Sequence, residues 1–236
     1  MQPYYDEGGI TIYHGDCREV LPTLEIADLL VTDPPYGIGY QSGRGDHDKI
    51  AGDDGSLAPV DWLSLALKHL RRGRHAYVFG MAANEVTPEM HLCGLTEIIW
   101  DKGIIGMGDL SLPWGASHER ILFGVQEISK ANRAKNYGAQ AARLRRGTIL
   151  SVQRTQSGQT LRHPTEKPVT LLRILIESSS TFDEVVLDPF MGVGSTLLAA
   201  RLEGRRAIGI ETDERYCEVA AQRLTVDVVT QEVLAL

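Results

Sequence analysis

Cysteine is scarce and long apolar runs are missing. The 236 residues hold three cysteines, Cys17, Cys93 and Cys217, too few and too scattered for a disulfide framework. A reducing, cytoplasmic setting is the expectation. No stretch approaches the roughly 18 apolar residues of a membrane span, so no membrane partner is expected. The opening MQPYYDEGG has neither a basic n-region nor an apolar h-region, and no signal peptide is expected. The seven histidines and three cysteines fall in no metal-ligand spacing, and no metal is expected. There is no internal repeat and no heptad pattern. Wholesale disorder is excluded, because a chain that is 43% hydrophobic and 23% charged can bury a core. The length fits a single domain over residues 1–236.

Acidic residues are missing from one long segment. The net charge of −7 argues at first against a polyanion partner. Between Ile128 and Thr165, however, there is no carboxylate, while Lys130, Arg133, Lys135, Arg143, Arg145, Arg146, Arg154 and Arg162 give eight positive charges. The other 198 residues carry 16 basic and 31 acidic groups, a net of −15. So sharp a split predicts a localised polyanion contact, or else a solvated basic loop or a self-association surface.

What is present is an alternation of apolar runs and helical patterns. Strands are predicted near Ile10–Tyr13, Asp28–Thr32, His75–Phe79, Thr96–Trp100, Ile121–Val125, Glu184–Leu187 and Ala207–Ile210. Helices are predicted at Pro59–Leu70, Val169–Glu177, Ser195–Leu202 and Glu214–Leu224. Strand–helix alternation implies crossovers and a parallel sheet. The expected fold is α/β: an open, seven-stranded, mostly parallel sheet with helices on both faces. Two segments break the pattern. Gly37–Gly55 is glycine-rich and long for a connection, which suggests a functional loop. Residues 128–162 read as a basic insertion with a short helix around Ala139–Arg146.

Three motifs carry candidate chemistry. In Leu29-Leu30-Val31-Thr32-Asp33-Pro34-Pro35-Tyr36 a buried strand runs into two prolines. The Asp33 carboxylate and Pro34 carbonyl form an acceptor pair beside an aromatic ring, suited to a planar group bearing an amine. A rigid strand exit with a turn-capping Asp is the alternative. In Val185 to Thr196, VVLDPFMGVGST, a strand, a glycine turn and a helix start form a nucleotide cradle. No Lys follows the glycines, so it is no P-loop. The next strand ends in Glu211, placed to accept ribose hydroxyls, or else an ordinary neighbour of a helix cap. His163-Pro164-Thr165-Glu166-Lys167-Pro168 is either a rigid helix start with Thr165 as N-cap, or a carboxylate site built from Thr165 and Lys167.

Together the motifs resemble the S-adenosylmethionine-dependent DNA amino-methyltransferases, in the arrangement that places the catalytic half before the cofactor half. The resemblance covers nearly the whole chain and implies a Rossmann-like methyltransferase fold. It implies that Asp33, Pro34, Pro35 and Tyr36 are catalytic. It implies cofactor contacts from Asp16, Thr165, Lys167, Asp188, Phe190, Gly192, Gly194, Ser195, Thr196 and Glu211. The runs Ile99-Trp100-Asp101-Lys102 and His118-Glu119-Arg120 also resemble the family. The implied reaction is direct methyl transfer to an exocyclic amine of a flipped base in double-stranded DNA, with no metal and no covalent nucleophile. The implied target-recognition region is 128–162. Arg44, Lys49, Arg133, Lys135, Arg143, Arg145, Arg146 and Arg154 are the candidate DNA contacts. So short a region implies a short recognition sequence or a second subunit, a homodimer. Asp at the first tetrapeptide position resembles the adenine-N6 enzymes more than the cytosine-N4 ones. The cytosine-N4 enzyme and a catalytically silent DNA-binding module are the alternatives.

Overall fold

A computed structural model describes residues 1–35, 58–105, 111, 113–127, 145–154 and 166–234. Nine strands among them form one mixed sheet: β1 (Tyr5–Glu7), β2 (Ile10–His14), β3 (Ala27–Thr32), β4 (Leu70–Phe79), β5 (Leu92–Asp101), β6 (His118–Gln126), β7 (Ile149–Ser151), β8 (Val185–Asp188) and β9 (Arg206–Glu211). Their order in space is β1-β2-β9-β8-β3-β4-β6-β5-β7. Neighbours from β2 through β4 are all parallel. Strand β6 runs antiparallel to both β4 and β5, so β5 shares the common direction.

All seven expected strands are therefore present, and only β6 among them is reversed. Two further strands of three residues extend the edges. β1 pairs with β2, and β7 pairs in parallel with β5 from Ile99↔Ile149 to Asp101↔Ser151. Strand β7 lies inside the stretch expected to be an insertion, so part of that stretch joins the sheet. The expected helix around Ala139–Arg146 falls mostly outside the described residues, and Arg145 and Arg146 are not helical. The glycine-rich Gly37–Gly55 lies wholly outside them.

Five α-helices flank the sheet among the described residues: α1 (Cys17–Val20), α2 (Pro59–Lys68), α3 (Val169–Ser179), α4 (Ser195–Leu202) and α5 (Glu214–Leu234). Pro59 occupies the first turn of α2, where its missing N–H costs nothing. Trp62, Leu63, Ala66 and Leu67 recur at helical spacing and pack on one sheet face with Leu30, Ala76, Val78 and Leu187. Helices α3, α4 and α5 cover the other face, where Leu172, Ile176, Leu197 and Leu224 meet Leu29, Val31, Tyr77 and Val186. Side chains alternate along each strand, so neighbours such as Leu29 and Leu30 feed opposite cores. Each large aliphatic chain buried this way contributes about 1.5–3 kcal/mol. Among the described residues no helix is long and apolar enough to cross a membrane.

The topology selects one place for a site. From β3 the chain moves through α2 to β4 on one side; from β8 it moves through α4 to β9 on the other. The sheet order thus diverges between β3 and β8. In open α/β sheets the crevice at the carboxyl ends of such diverging strands is where ligands bind.

Candidate active site

The segments after β2, β3, β4, β8 and β9 leave at one edge of the sheet. The reversed β6 brings its first residues to that edge, since Phe79 pairs with Ile121 and Trp100 with Glu119. Asp33 therefore lies beside the divergence point. Pro34 is buried there, and Asp33 and Pro35 are half-buried. Tyr36 lies outside the described residues.

Lys167 is the nearest cation to Asp33 that the structure defines. Its Nζ donates to Asp33 Oδ2 at 2.5 Å and stands 3.6 Å from Glu119 Oε2. The ammonium also sits over the Phe79 ring, 5.2 Å from the centroid. Glu119 Oε1 accepts from Lys102 Nζ at 2.6 Å. Burial disfavours the Lys167 ammonium, but the Asp33 and Glu119 carboxylates outweigh it and raise its pKa above the ordinary value. Burial likewise pushes the Glu119 carboxyl up, and the charges of Lys167 and Lys102 more than offset this and hold it below the ordinary range. Lys167 is expected to serve a carboxylate at the start of α3, and the structure brings it to Asp33 and Glu119. Its charge is given to two carboxylates of the protein. The N-cap of α3 is Pro168, with no side-chain cap, rather than Thr165, which lies outside the described residues.

The glycine turn faces Asp33 across the divergence point. Thr32 Oγ1 donates to Asp188 Oδ1 at 2.9 Å, and Phe190 N donates to the same oxygen at 3.1 Å. One carboxylate thereby ties the end of β3 to the turn after β8. Asp188 is 3% exposed, and burial raises its pKa to about 6, against hydrogen bonds from Thr196, Phe190 and Thr32. Phe190 sets its ring edge-on against Trp62 of α2, with centroids 4.9 Å apart. Gly194 has φ +77° at the start of α4, and a Cβ there would stand 2.9 Å from Ala220 Cβ, so only glycine suits this turn. Gly192 also has positive φ, but the space a Cβ would enter is open.

Glu211 closes this half. Its Oε2 accepts from Gly192 N at 3.1 Å, and its Oε1 accepts from Asp213 N at 2.8 Å. Burial raises its pKa, against those hydrogen bonds. Oε1 also accepts from Thr212 Oγ1 at 3.2 Å, which leaves Oε2 with a spare lone pair beside Gly192. Asp16 lies close in the fold, because Gly15 N bonds to Glu211 O. Asp16 itself caps α1 and pairs with Arg18 at 2.5 Å, whose hydrogen bonds lower its pKa.

Ser195 is part of a second buried ion network. Its Oγ donates to Glu166 Oε1 at 3.0 Å. Arg223 Nη1 lies 2.7 Å from the same carboxylate oxygen and donates to Ser195 Oγ at 3.0 Å. Sequence reasoning missed Thr32, Glu119, Lys102, Glu166 and Arg223. Glu119, Lys102 and Glu166 stand in runs already singled out, whereas Arg223 carries no sequence signal at all.

The basic candidates divide. Arg146 is not brought to the site. It pairs with Glu177 at 2.6 Å and bonds to Ser178, at the far end of α3, about 16 Å along that helix from Lys167. Arg145 is exposed beside it. Arg154 follows Val152, which Trp100 Nε1 and Asp101 O hold at the carboxyl end of β5, so Arg154 leaves on the side of the site. Arg44, Lys49, Arg133, Lys135 and Arg143 lie outside the described residues. Burial pushes the Cys17 and Cys217 thiols up to about 12, which suits core residues rather than nucleophiles.

Comparison with known proteins assigns the chain to a family. Residues 27–222 match the family model described as DNA methylase. The type II methyltransferase M2.DpnII of Streptococcus pneumoniae is 28% identical, over 94% of this chain and 92% of its own. M.HinfI of Haemophilus influenzae is 30% identical, over 91% of this chain and 68% of its own. Among solved structures, the complex of M1.HpyAVI with SAM superposes with a TM-score of 0.70 at 22% identity, covering 91% of this chain and 98% of that one. The PvuII DNA methyltransferase, cytosine-N4-specific, gives 0.67 at 16% identity, covering 93% and 88%. At those identities the structures speak to the fold alone. The family match spans most of the chain, and the protein belongs to the N6/N4 DNA methyltransferases.

Proposed function

We propose that the protein is a site-specific DNA methyltransferase that methylates adenine N6 in double-stranded DNA, with S-adenosylmethionine as methyl donor. The observation that carries this reading is the pairing of Asp33 with the Gly192–Gly194 turn across the Thr32–Asp188 hydrogen bond. The chain offers a fit for the donor. Open space at Gly192, the Glu211 carboxylate and the start of α4 suit a nucleoside with vicinal hydroxyls. When bound, that group supplies an electrophilic methyl on a sulfonium.

Every other part of the work falls to the protein. The exocyclic amine of adenine is a poor nucleophile, because its lone pair is delocalised into the ring. Asp33 accepts one N–H and the Pro34 carbonyl the other, which drives the nitrogen toward a tetrahedral geometry with its lone pair free. The Asp33 carboxylate then offsets the positive charge that grows on nitrogen. Such preorganised electrostatics is commonly the largest catalytic contribution, and positioning supplies the rest. The target base must leave the duplex stack, at a cost of a few kcal/mol. Tyr36, next in the chain after Pro35, supplies a stacking face for it, worth about 1–3 kcal/mol. Arg154, with Arg133, Lys135 and Arg143, supplies phosphate contacts.

Adenine is favoured over cytosine by Asp at the first tetrapeptide position. The type II relatives support a restriction-modification role in the cytoplasm. The test is duplex DNA of varied sequence incubated with methyl-labelled donor, followed by nucleoside mass spectrometry. N6-methyladenine is the expected product. N4-methylcytosine would move the enzyme to the alternative class, and no methylated base would sink both.

A further inference from the structure

Two runs remain without a role: the Lys102 end of β5 and the Glu119 start of β6. They converge on the reacting carboxylate through Lys167. Glu119 Oε1 takes the Lys102 ammonium at 2.6 Å, its Oε2 lies 3.6 Å from Lys167 Nζ, and Lys167 Nζ touches Asp33 Oδ2 at 2.5 Å. Lys167 is 7% exposed and braced against the Phe79 ring, so water does little to screen its charge. We propose that Glu119 is a positioning residue for methyl transfer, acting through Lys167 on Asp33. It rests on the function proposed above.

The argument is one of charge. Asp33, Glu119, Lys167 and Lys102 sum to zero. Without Glu119 the cluster would hold two ammonium groups against one carboxylate. Asp33 must stabilise a nitrogen that turns positive, and an uncompensated Lys167 in contact with it would cancel that field. Glu119 also fixes where Lys167 stands. It meets Lys167 from the β6 side, while Asp33 meets it from the end of β3. The reversed direction of β6 acquires a purpose, since it delivers Glu119 to the edge where Asp33 lies.

The test compares steady-state kinetics of wild type, Glu119→Gln, Glu119→Asp, Lys102→Met and the double variant Lys102→Met/Glu119→Gln on duplex DNA. Glu119→Gln keeps the shape and removes the charge. It is expected to lower kcat about tenfold or more, with the KM for the methyl donor changed less than about threefold. Glu119→Asp should recover part of the loss. The double variant returns the cluster to zero charge and should have a higher kcat than Glu119→Gln alone, with the KM for the donor unchanged. Wild-type turnover in Glu119→Gln, or a double variant slowed by the product of the single effects, would overturn the assignment while leaving the proposed function intact. Wild-type protein that methylates no DNA would overturn the function and this assignment with it.

Discussion

Glu166 and Lys167 are neighbours in sequence and serve opposite halves of the site. Glu166 reaches Ser195 at the start of α4 and Arg223 on α5. Lys167 reaches Asp33 after β3 and Glu119 on β6. Both groups are largely withdrawn from water, yet their networks differ in kind. Around Glu166 a buried carboxylate and a buried guanidinium share one hydroxyl next to the glycine turn. Around Lys167 one ammonium is divided between two carboxylates, one of which is the group proposed to do chemistry. The difference teaches that a single dipeptide fastens a structural half and a reactive half. The glycine turn and Asp33 are thereby kept in register.

The largest expected effect that separates the halves comes from Arg223. Arg223→Met would leave the Glu166 carboxylate buried without its guanidinium, which costs about 3–5 kcal/mol of stability. The double variant Arg223→Met/Glu166→Leu should recover most of that, as removal of both charges often does. Denaturant unfolding measures both. A mild effect of the single variant would break the comparison, because it would mean that Arg223 is not the main counter-charge of Glu166.

A smaller effect belongs to Asp188, where the halves meet. Its folded pKa, about 6, lies above the ordinary carboxylate value. The stability linked to its protonation is full below about pH 4 and is lost as pH rises through about 6. Asp188→Asn mimics the protonated form and keeps an acceptor for Thr32 and Phe190. Relative to wild type, the variant should gain stability as pH rises from 5 to 8, by about 1–1.5 kcal/mol. Unfolding curves at the two pH values check it. The comparison cancels the other carboxylates, including Glu119, Asp16 and Asp213, whose depressed pKa values work in the opposite sense. A pH-independent difference would mean that Asp188 is ionised as easily folded as unfolded.

Much of the fold was legible in the sequence because buried parallel strands are continuous apolar runs. Ala27–Thr32 is buried at every position, and its limits were nearly those expected. The two missed strands, Tyr5–Glu7 and Ile149–Ser151, are three residues long and largely exposed, so they carry no periodic signal. The start of β4 was missed for a related reason. Its first residues, Leu70-Arg71-Arg72-Gly73-Arg74, read as polar, although Arg74 is buried there in an ion pair with Glu184. In the site, Asp33, Asp188 and Glu211 stand at strand ends, where the motif spacing put them. Lys167 was found, but its ion pairs with Asp33 and Glu119 were not foreseen. Helix-start logic points it at a ligand, while the reversed β6, invisible in one dimension, brings Glu119 to meet it. Arg223 was not legible at all, since one Arg in an amphipathic helix has no spacing to mark it.

The central claim is that Asp33 performs the chemistry while Glu211 holds the methyl donor. Single-turnover methyl transfer at saturating donor, measured for Asp33→Asn and Glu211→Ala with donor affinity from calorimetry, tests it most directly. Asp33→Asn should lose about 10²–10³-fold or more in transfer rate, with affinity unchanged within about threefold. Glu211→Ala should bind the donor about tenfold or more weakly and recover most of its rate once saturated. Transfer retained in Asp33→Asn, or donor binding lost with it, would contradict the account.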